Sequence, residues 1–295
     1  MPAKHVAAID LGGTKLAAAV VSATGHISKQ RTLEVNSASS LAPLHQILAV
    51  ARELIGAQKR TERISAIGVA IPGLVRRDGT VWAPNLKGWK RMPLARRLKR
   101  ALGLPVVVES DRNAAVLGET WFGAARGKND AIVLMLGTGI GAGIWSGGRL
   151  VRGAHELSGC AGWMVVADSY GTEAQQLGQL ESLAAGPAIA RAAGAVNAQH
   201  VAEAARRGDP AAIQVYRDAG RVLGYAVANL VSLFDPEVVV IGGGLAKASD
   251  LFLEVLATAA KQRAQPIAGK RVRIVRSPLG SQANLLGVAR LASKM

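Results

Sequence analysis

Val6-Ala-Ala-Ile-Asp10-Leu-Gly-Gly-Thr-Lys15-Leu-Ala-Ala-Ala-Val20 decides the fold. Two apolar runs, Val6–Leu11 and Leu16–Ser22, bracket Gly12-Gly13-Thr14-Lys15 and read as two strands joined by a tight turn. Glycine has no Cβ, so the backbone N–H groups of such a turn can close on a phosphate. Thr14 adds a hydroxyl donor, and Lys15 a point charge for phosphate oxygens. Asp10, at the end of a buried strand, offers hard oxygen to Mg²⁺ and would hold it mainly through water, because Mg²⁺ gives up its hydration shell reluctantly. A glycine pair alone reads as an ordinary hairpin. Asp, Gly-Gly, Thr and Lys together read as a phosphate turn.

Outward from this stretch the same theme returns. Ala131–Leu136 reads as a strand, Gly137-Thr138-Gly139-Ile140-Gly141 as a glycine turn, and Ala142–Trp145 as the start of another strand. The second turn is weak evidence alone; its value lies in repeating the first. A Rossmann unit differs, because its glycine turn leads from a strand into a helix. A third glycine run, Gly242-Gly243-Gly244, ends the buried strand Val238–Ile241 and precedes a helix, which suits close backbone approach to an adenosine. Two related α/β halves, each with a phosphate hairpin, would grip a nucleotide from both sides.

The remaining elements fill in this duplication. Ile27–Val35 completes a meander, and a helix is predicted near Leu41–Gln58. Ile64–Ile71 is a strand closed by Pro72-Gly73, and Pro93–Leu102 is a basic helix. Val106–Glu109 is a short strand that runs into a helix over Asp111–Phe122. In the second half, Pro210 suits the first turn of a long helix to Phe234, with an apolar stripe at Val215, Ala219, Val222, Ala226, Leu230 and Phe234. A helix near Ser249–Gln262, a strand at Val272–Val275 and a helix near Ala283–Ser293 follow. The 295 residues allow two domains at roughly 100–200 residues each. They are drawn as an N-terminal domain, 1–112 with the final helix 283–295, and a C-terminal domain, 113–282.

Asp111 stands where a strand gives way to a helix. There an aspartate can be an N-cap, favoured by the helix dipole, or a carboxylate that takes the proton of an attacking hydroxyl. The two phosphate turns favour catalysis. Pro84-Asn85-Leu-Lys-Gly88-Trp89 reads as a polar loop in which Asn85 either contacts sugar hydroxyls or stabilises a turn. Both readings of Asn85 stay open. The five histidines show no metal-ligand spacing, and Cys160, the one cysteine, reads as a packing residue.

Composition sets the class. At 49% hydrophobic and 19% charged, the chain has material for two cores and little for long disordered stretches. One cysteine precludes an intrachain disulfide, which fits a reducing, cytoplasmic compartment. No secretory signal precedes the first strand, and the uncharged stretch Ala131–Gly148 is broken by glycines, so no membrane span is expected. Thirty-six Lys and Arg against 20 Asp and Glu give +16. Most of this charge reads as a solvated basic surface, with attraction to anions as the functional alternative.

On Asp10-Leu-Gly-Gly-Thr-Lys15, Ile71-Pro-Gly-Leu-Val75, Pro84-Asn-Leu-Lys-Gly-Trp89, Asp111-Arg-Asn-Ala-Ala115 with Leu117-Gly-Glu119, Gly137-Thr-Gly-Ile-Gly141 and Gly242-Gly-Gly244, the chain resembles the ROK family of repressors, uncharacterised frames and sugar kinases. The resemblance covers nearly the whole chain. It implies an α/β, actin/hexokinase-like (ribonuclease H-like) duplicated two-domain fold with a central cleft. It also implies an ATP- and Mg²⁺-dependent kinase that phosphorylates a hydroxyl of a hexose or hexose derivative. Asp111 would be the base, the three glycine turns would contact nucleotide, and Gly73, Asn85, Ser110, Asp111, Cys160, Trp163 and Glu181 would fall at the sugar. A homodimer is left open.

The departures from the family pattern are specific. Ser110 stands where the family usually has Asn. Gly159-Cys160-Ala161-Gly162-Trp163 stands where a Gly-Glu-x-Gly-His stretch usually holds the sugar. Gly178-Gln179-Leu180-Glu181 keeps the glutamate of the usual zinc loop but none of its cysteines, so no zinc is expected. Trp163 offers an apolar stacking face instead, which points to a modified or less polar sugar. The alternative is a non-catalytic sugar or ATP sensor, or a pseudokinase. Repressors of the family carry a helix-turn-helix ahead of the first turn, and that turn begins here at residue 10, so nucleic acid is not expected as a partner.

Overall fold

The computed structural model describes residues 5–57, 63–168 and 171–295. Two compact units emerge: unit 1 comprises Met1–Arg126, Arg152–Leu157 and Ser281–Met295, and unit 2 comprises Gly127–Val151 and Ser158–Gly280.

Unit 1 contains β1 (His5–Leu11), β2 (Lys15–Ser22), β3 (Ile27–Glu34), α1 (Ala42–Gly56), β4 (Ile64–Ile71), the short pair β5 (Leu74–Val75) and β6 (Val81–Trp82), α2 (Leu94–Leu102), β7 (Val106–Ser110), α3 (Asp111–Phe122) and the C-terminal helix Ala283–Ala292. Gln58, the expected end of the first helix, lies outside the described residues. The sheet order is β3-β2-β1-β4-β7, antiparallel across β3-β2-β1 and parallel across β1-β4-β7. Side chains alternate across a strand, and the sequence uses this. Ile67, Val69 and Ile71 join Ala7, Ile9 and Leu11 in one core with Ile47, Leu54, Leu94 and Leu98 of α1 and α2. The other face of β4 carries Ala66, Gly68 and Ala70, and a Cβ on Gly68 would lie 2.5 Å from the Val288 carbonyl oxygen. Small residues thus let the C-terminal helix approach the sheet closely. Asp10 shares the Ala8 face of β1, which brings it to Asn284 on that helix.

Unit 2 repeats the plan. It contains β8 (Ala131–Leu136), β9 (Ile140–Ser146), β10 (Arg149–Leu150), α4 (Thr172–Leu177), α5 (Gln179–Ala184), α6 (Gly186–Ala192), α7 (Ala198–Arg206), α8 (Pro210–Phe234), β11 (Val238–Gly242), α9 (Leu253–Arg263), α10 (Pro266–Arg271) and β12 (Arg273–Arg276). The sheet order β10-β9-β8-β11-β12 matches unit 1 strand for strand, with the same parallel and antiparallel senses. The duplication read from the glycine turns is therefore a duplication of whole sheets, and the α/β fold class stands.

Four differences have local causes. The β5–β6 hairpin was not foreseen, because two-residue strands leave no periodicity. The helix expected near Ser249–Gln262 is a 3₁₀ segment, Gly244–Leu251, followed by α9, with non-helical backbone at Ala248 and Phe252. On α8, Ala219, Ala226 and Leu230 are buried, whereas Val215, Val222 and Phe234 are only partly so. The buried stripe is rotated because α9 packs over Gly220 and Gly224, where a Cβ would meet Phe252 and Ala259 at 2.8 and 2.6 Å. Finally, the division falls after Arg126 rather than at 112 and takes α3 into unit 1. There Gly118 and Gly287 let α3 and the C-terminal helix touch backbone to backbone.

Candidate active site

In unit 1, β7 and α3 meet at Ser110-Asp111. Ser110 occupies the N-cap position without making a cap bond, and its hydroxyl is buried without a hydrogen-bond partner. Asp111 is the first residue of the helix rather than its cap, and its Oδ1 accepts the Arg112 amide at 2.8 Å. Burial pushes the Asp111 carboxyl up, while the Arg112 amide and guanidinium pull it down. Asp10 accepts from Asn284 Nδ2 at 3.1 Å. Its carboxyl is raised to about 7, first by burial and then by the charge of Asp111, with the Asn284 bond opposing. Taken as whole residues, both aspartates are only partly buried.

Glu109 organises the backbone beneath them. Its Oε1 accepts Ser110 N and Asn113 Nδ2, both at 2.9 Å, and its Oε2 pairs with Arg152 at 2.5 Å. Arg112 donates to the carbonyls of Gly73 at 3.4 Å and Glu156 at 3.2 Å. Gly73 has φ +120, and a Cβ there would lie 2.3 Å from the Trp82 carbonyl oxygen, so packing alone requires glycine. Asn85 is exposed on a turn closed by backbone bonds and by Trp89 Nε1 donating to Ser40 O at 2.7 Å. Its own amide makes no hydrogen bond among the described residues. In the first glycine turn, Gly12 N donates to Lys15 O at 2.8 Å, and Gly13, Thr14 and Lys15 are exposed.

In unit 2, Gly137, Thr138 and Gly244 line one cavity of about 760 Å³ together with Asn197, Tyr216 and Lys247. That volume is in the range of small-molecule sites. Gly139 belongs to the same turn, but a Cβ there would meet Glu181 Oε2 at 2.8 Å, as would one on Gly162. Glu181 accepts Ile140 N at 2.8 Å, so its carboxylate braces the second glycine turn, next to Gly141. Gly242 abuts Met135, and Gly243 has φ +84 with the Leu136 backbone at 2.3 Å from a Cβ. Cys160 is partly exposed, and Trp163 is 53% exposed, so its ring is available for stacking.

The residues fit the groups that the resemblance implies. Gly13, Gly137 and Gly244 have neither a left-handed φ nor any atom within 4 Å of a Cβ. Nothing in the folded chain requires glycine there, and an approaching phosphate would. Asp10 and Asp111 are two mutually repelling carboxylates, and Asn284 Oδ1 beside them is buried without a partner. Such hard oxygens suit Mg²⁺, which needs few protein ligands. Among the described residues no group of three or more His, Cys, Asp or Glu could hold a metal.

The sequence did not disclose Asn284, Arg112, Glu109 or Arg152. Asn284 lies 274 residues from Asp10 and meets it only through tertiary packing. Arg112 follows Asp111 directly and Glu109 precedes it by two residues, and that nearness was the one available signal.

The ROK family model matches residues 6–295. Glucokinase of Streptomyces coelicolor is 33% identical, with 96% of each chain covered. The bifunctional enzyme NanE/NanK of Brucella suis is 37% identical over 99% of this chain and 54% of that protein. The crystal structure of a ROK family glucokinase from Streptomyces griseus in complex with glucose and AMPPNP superposes with a TM-score of 0.85 at 30% identity, covering 99% of this chain and all of the other. With the family model spanning residues 6–295 and relatives matching nearly the whole chain, the chain belongs to the ROK family.

Proposed function

We propose that Asp111 acts as general base in transferring the γ-phosphoryl group of ATP to a hydroxyl of a hexose or hexose derivative. The coarser statement, that the chain is a carbohydrate kinase of the ROK family, rests on the whole-chain family match and the kinase relatives. What supports the finer reading is Asp111 itself: a partly buried residue at the start of α3, whose charge acts on Asp10 at the end of the strand that enters the first glycine turn.

Phosphoryl transfer asks a protein chiefly for positioning and charge neutralisation. Asp111 must be ionised to accept the hydroxyl hydrogen bond, and the adjacent Arg112 amide and guanidinium work toward that state against burial. Glu109 fixes the backbone on which Asp111 is carried. Asp10 would hold Mg²⁺ through water, with Asn284 orienting its carboxylate. When bound, Mg²⁺ supplies neutralisation of the phosphate oxygens. Gly13, Gly137 and Gly244 leave room for phosphates and nucleotide backbone. At the sugar, Cys160 and Trp163 replace acceptor and donor groups with a thiol and an exposed indole, which favours a modified or less polar hexose over glucose.

The test is sugar-dependent ADP release with Mg-ATP across hexoses, amino sugars, deoxy sugars and polyols, beside Asp111→Asn. Turnover on one class, reduced at least about 100-fold in the variant with ATP affinity retained, is the expected result. Efficient, preferred phosphorylation of glucose would overturn the substrate reading. ATP binding without turnover on any sugar would turn the assignment to a sensor.

A further inference from the structure

The charge of the molecule is unevenly shared. By sequence, unit 1 carries 22 Lys and Arg against 9 Asp and Glu, a balance of +13, whereas unit 2 carries 14 against 11. Within unit 1, no acidic residue stands between Asp78 and Glu109, while seven cations do: Lys87, Lys90, Arg91, Arg96, Arg97, Lys99 and Arg100. All seven are exposed. None forms an ion pair among the described residues, although Asp78 feels the charge of Arg91.

Helix α2 sets the geometry of this surface. Leu94 and Leu98 are fully buried, which turns Arg96, Arg97, Lys99 and Arg100 outward. Arg96 and Arg100, one turn apart, are about 6 Å from each other on one face, a spacing on the scale of successive phosphates along a strand. With Arg97 and Pro93 they line a depression of about 360 Å³. The guanidinium fork matches phosphate oxygens in a bidentate way.

From this surface we infer that unit 1 docks the sugar-phosphate backbone of a nucleic-acid duplex through α2 and the 87–91 loop, without reading sequence. The apolar stripe of α2 is spent in the core, which leaves no edge to insert into lipid. Trp89 is buried, so residues 87–100 expose no aromatic platform for unstacked bases. What remains is charge presented by rigid backbone, and that suits duplex phosphates. The earlier expectation against nucleic acid rested on the lack of an N-terminal helix-turn-helix, and this surface does not depend on one.

The experiment is fluorescence anisotropy of a labelled duplex of about 20 base pairs, titrated with the full chain at several salt concentrations from about 50 mM upward. R96Q/R97Q/K99Q/R100Q is the comparison, with sugar-dependent ADP release and melting temperature confirming that the variant folds. Binding that weakens with salt is expected. The variant should weaken it at least about 10-fold at low salt and flatten the log–log salt slope by about 2–4. No duplex binding at 50 mM salt, or binding that the four substitutions leave unchanged, would overturn the inference. So would tighter binding to phosphatidylserine vesicles than to duplex, which would make the partner a lipid surface.

Discussion

The Asp10 carboxyl titrates at about 7 in the folded protein and near 4 in an unfolded chain. Between those values the folded state holds a proton that the unfolded state has released, so stability falls as pH rises through this window. Asp10→Asn removes the ionisation and keeps an oxygen for Asn284. Without Mg²⁺, the variant should be more stable than the parent by about 1–3 kcal/mol at pH 8, with the gap closing toward pH 4, while Mg²⁺-dependent turnover is lost. Urea melts across that range are the check, and a gap independent of pH would count against it. Asp10 stood out in the sequence as a candidate by its position at a strand end before a glycine turn. Asn284 was not, since a single amide in a helix reads as nothing until folding places it against that carboxylate.

At the scale of elements, glycines divide into those the fold needs and those it does not. A Cβ on Gly287 would lie 1.8 Å from the Ala114 carbonyl oxygen, and one on Gly118 2.1 Å from that of Ala283. Both obstacles are helix backbone, which cannot yield without separating α3 from the C-terminal helix. Gly287→Ala should therefore cost at least about 2–3 kcal/mol, read as a lower melting temperature. Gly13→Ala meets nothing within 4 Å and no left-handed φ. It should leave stability within about 0.5 kcal/mol of the parent while raising KM for ATP. Equal effects of the two substitutions on stability would sink the distinction. Strands and long helices were legible because alternation and 3.6-residue stripes report burial directly. The backbone-close helix pair was not, because Gly118 and Gly287 interrupt those stripes and look like weaknesses until the partner helix is seen.

For the whole molecule, the duplicated architecture could be read from two glycine turns, since each stands between two apolar runs that read as paired strands, and the recurrence of that pattern calls for a second sheet. Net charge could be counted, but its partition could not, because it depends on segments from three parts of the chain folding into unit 1. That partition has a thermodynamic consequence independent of any partner. Like charges packed on one unit repel and oppose its compact state, and salt screens them over about 10 Å at 0.1 M. Raising KCl from about 20 to about 300 mM should therefore raise the melting temperature by about 2–5 °C. In R96Q/R97Q/K99Q/R100Q the low-salt value should start higher and the dependence should be shallower, because four of the unopposed cations are gone. A melting temperature that falls with KCl in the parent would mean that ion pairs such as Arg152 with Glu109, rather than repulsion across the basic surface, dominate the electrostatics of folding.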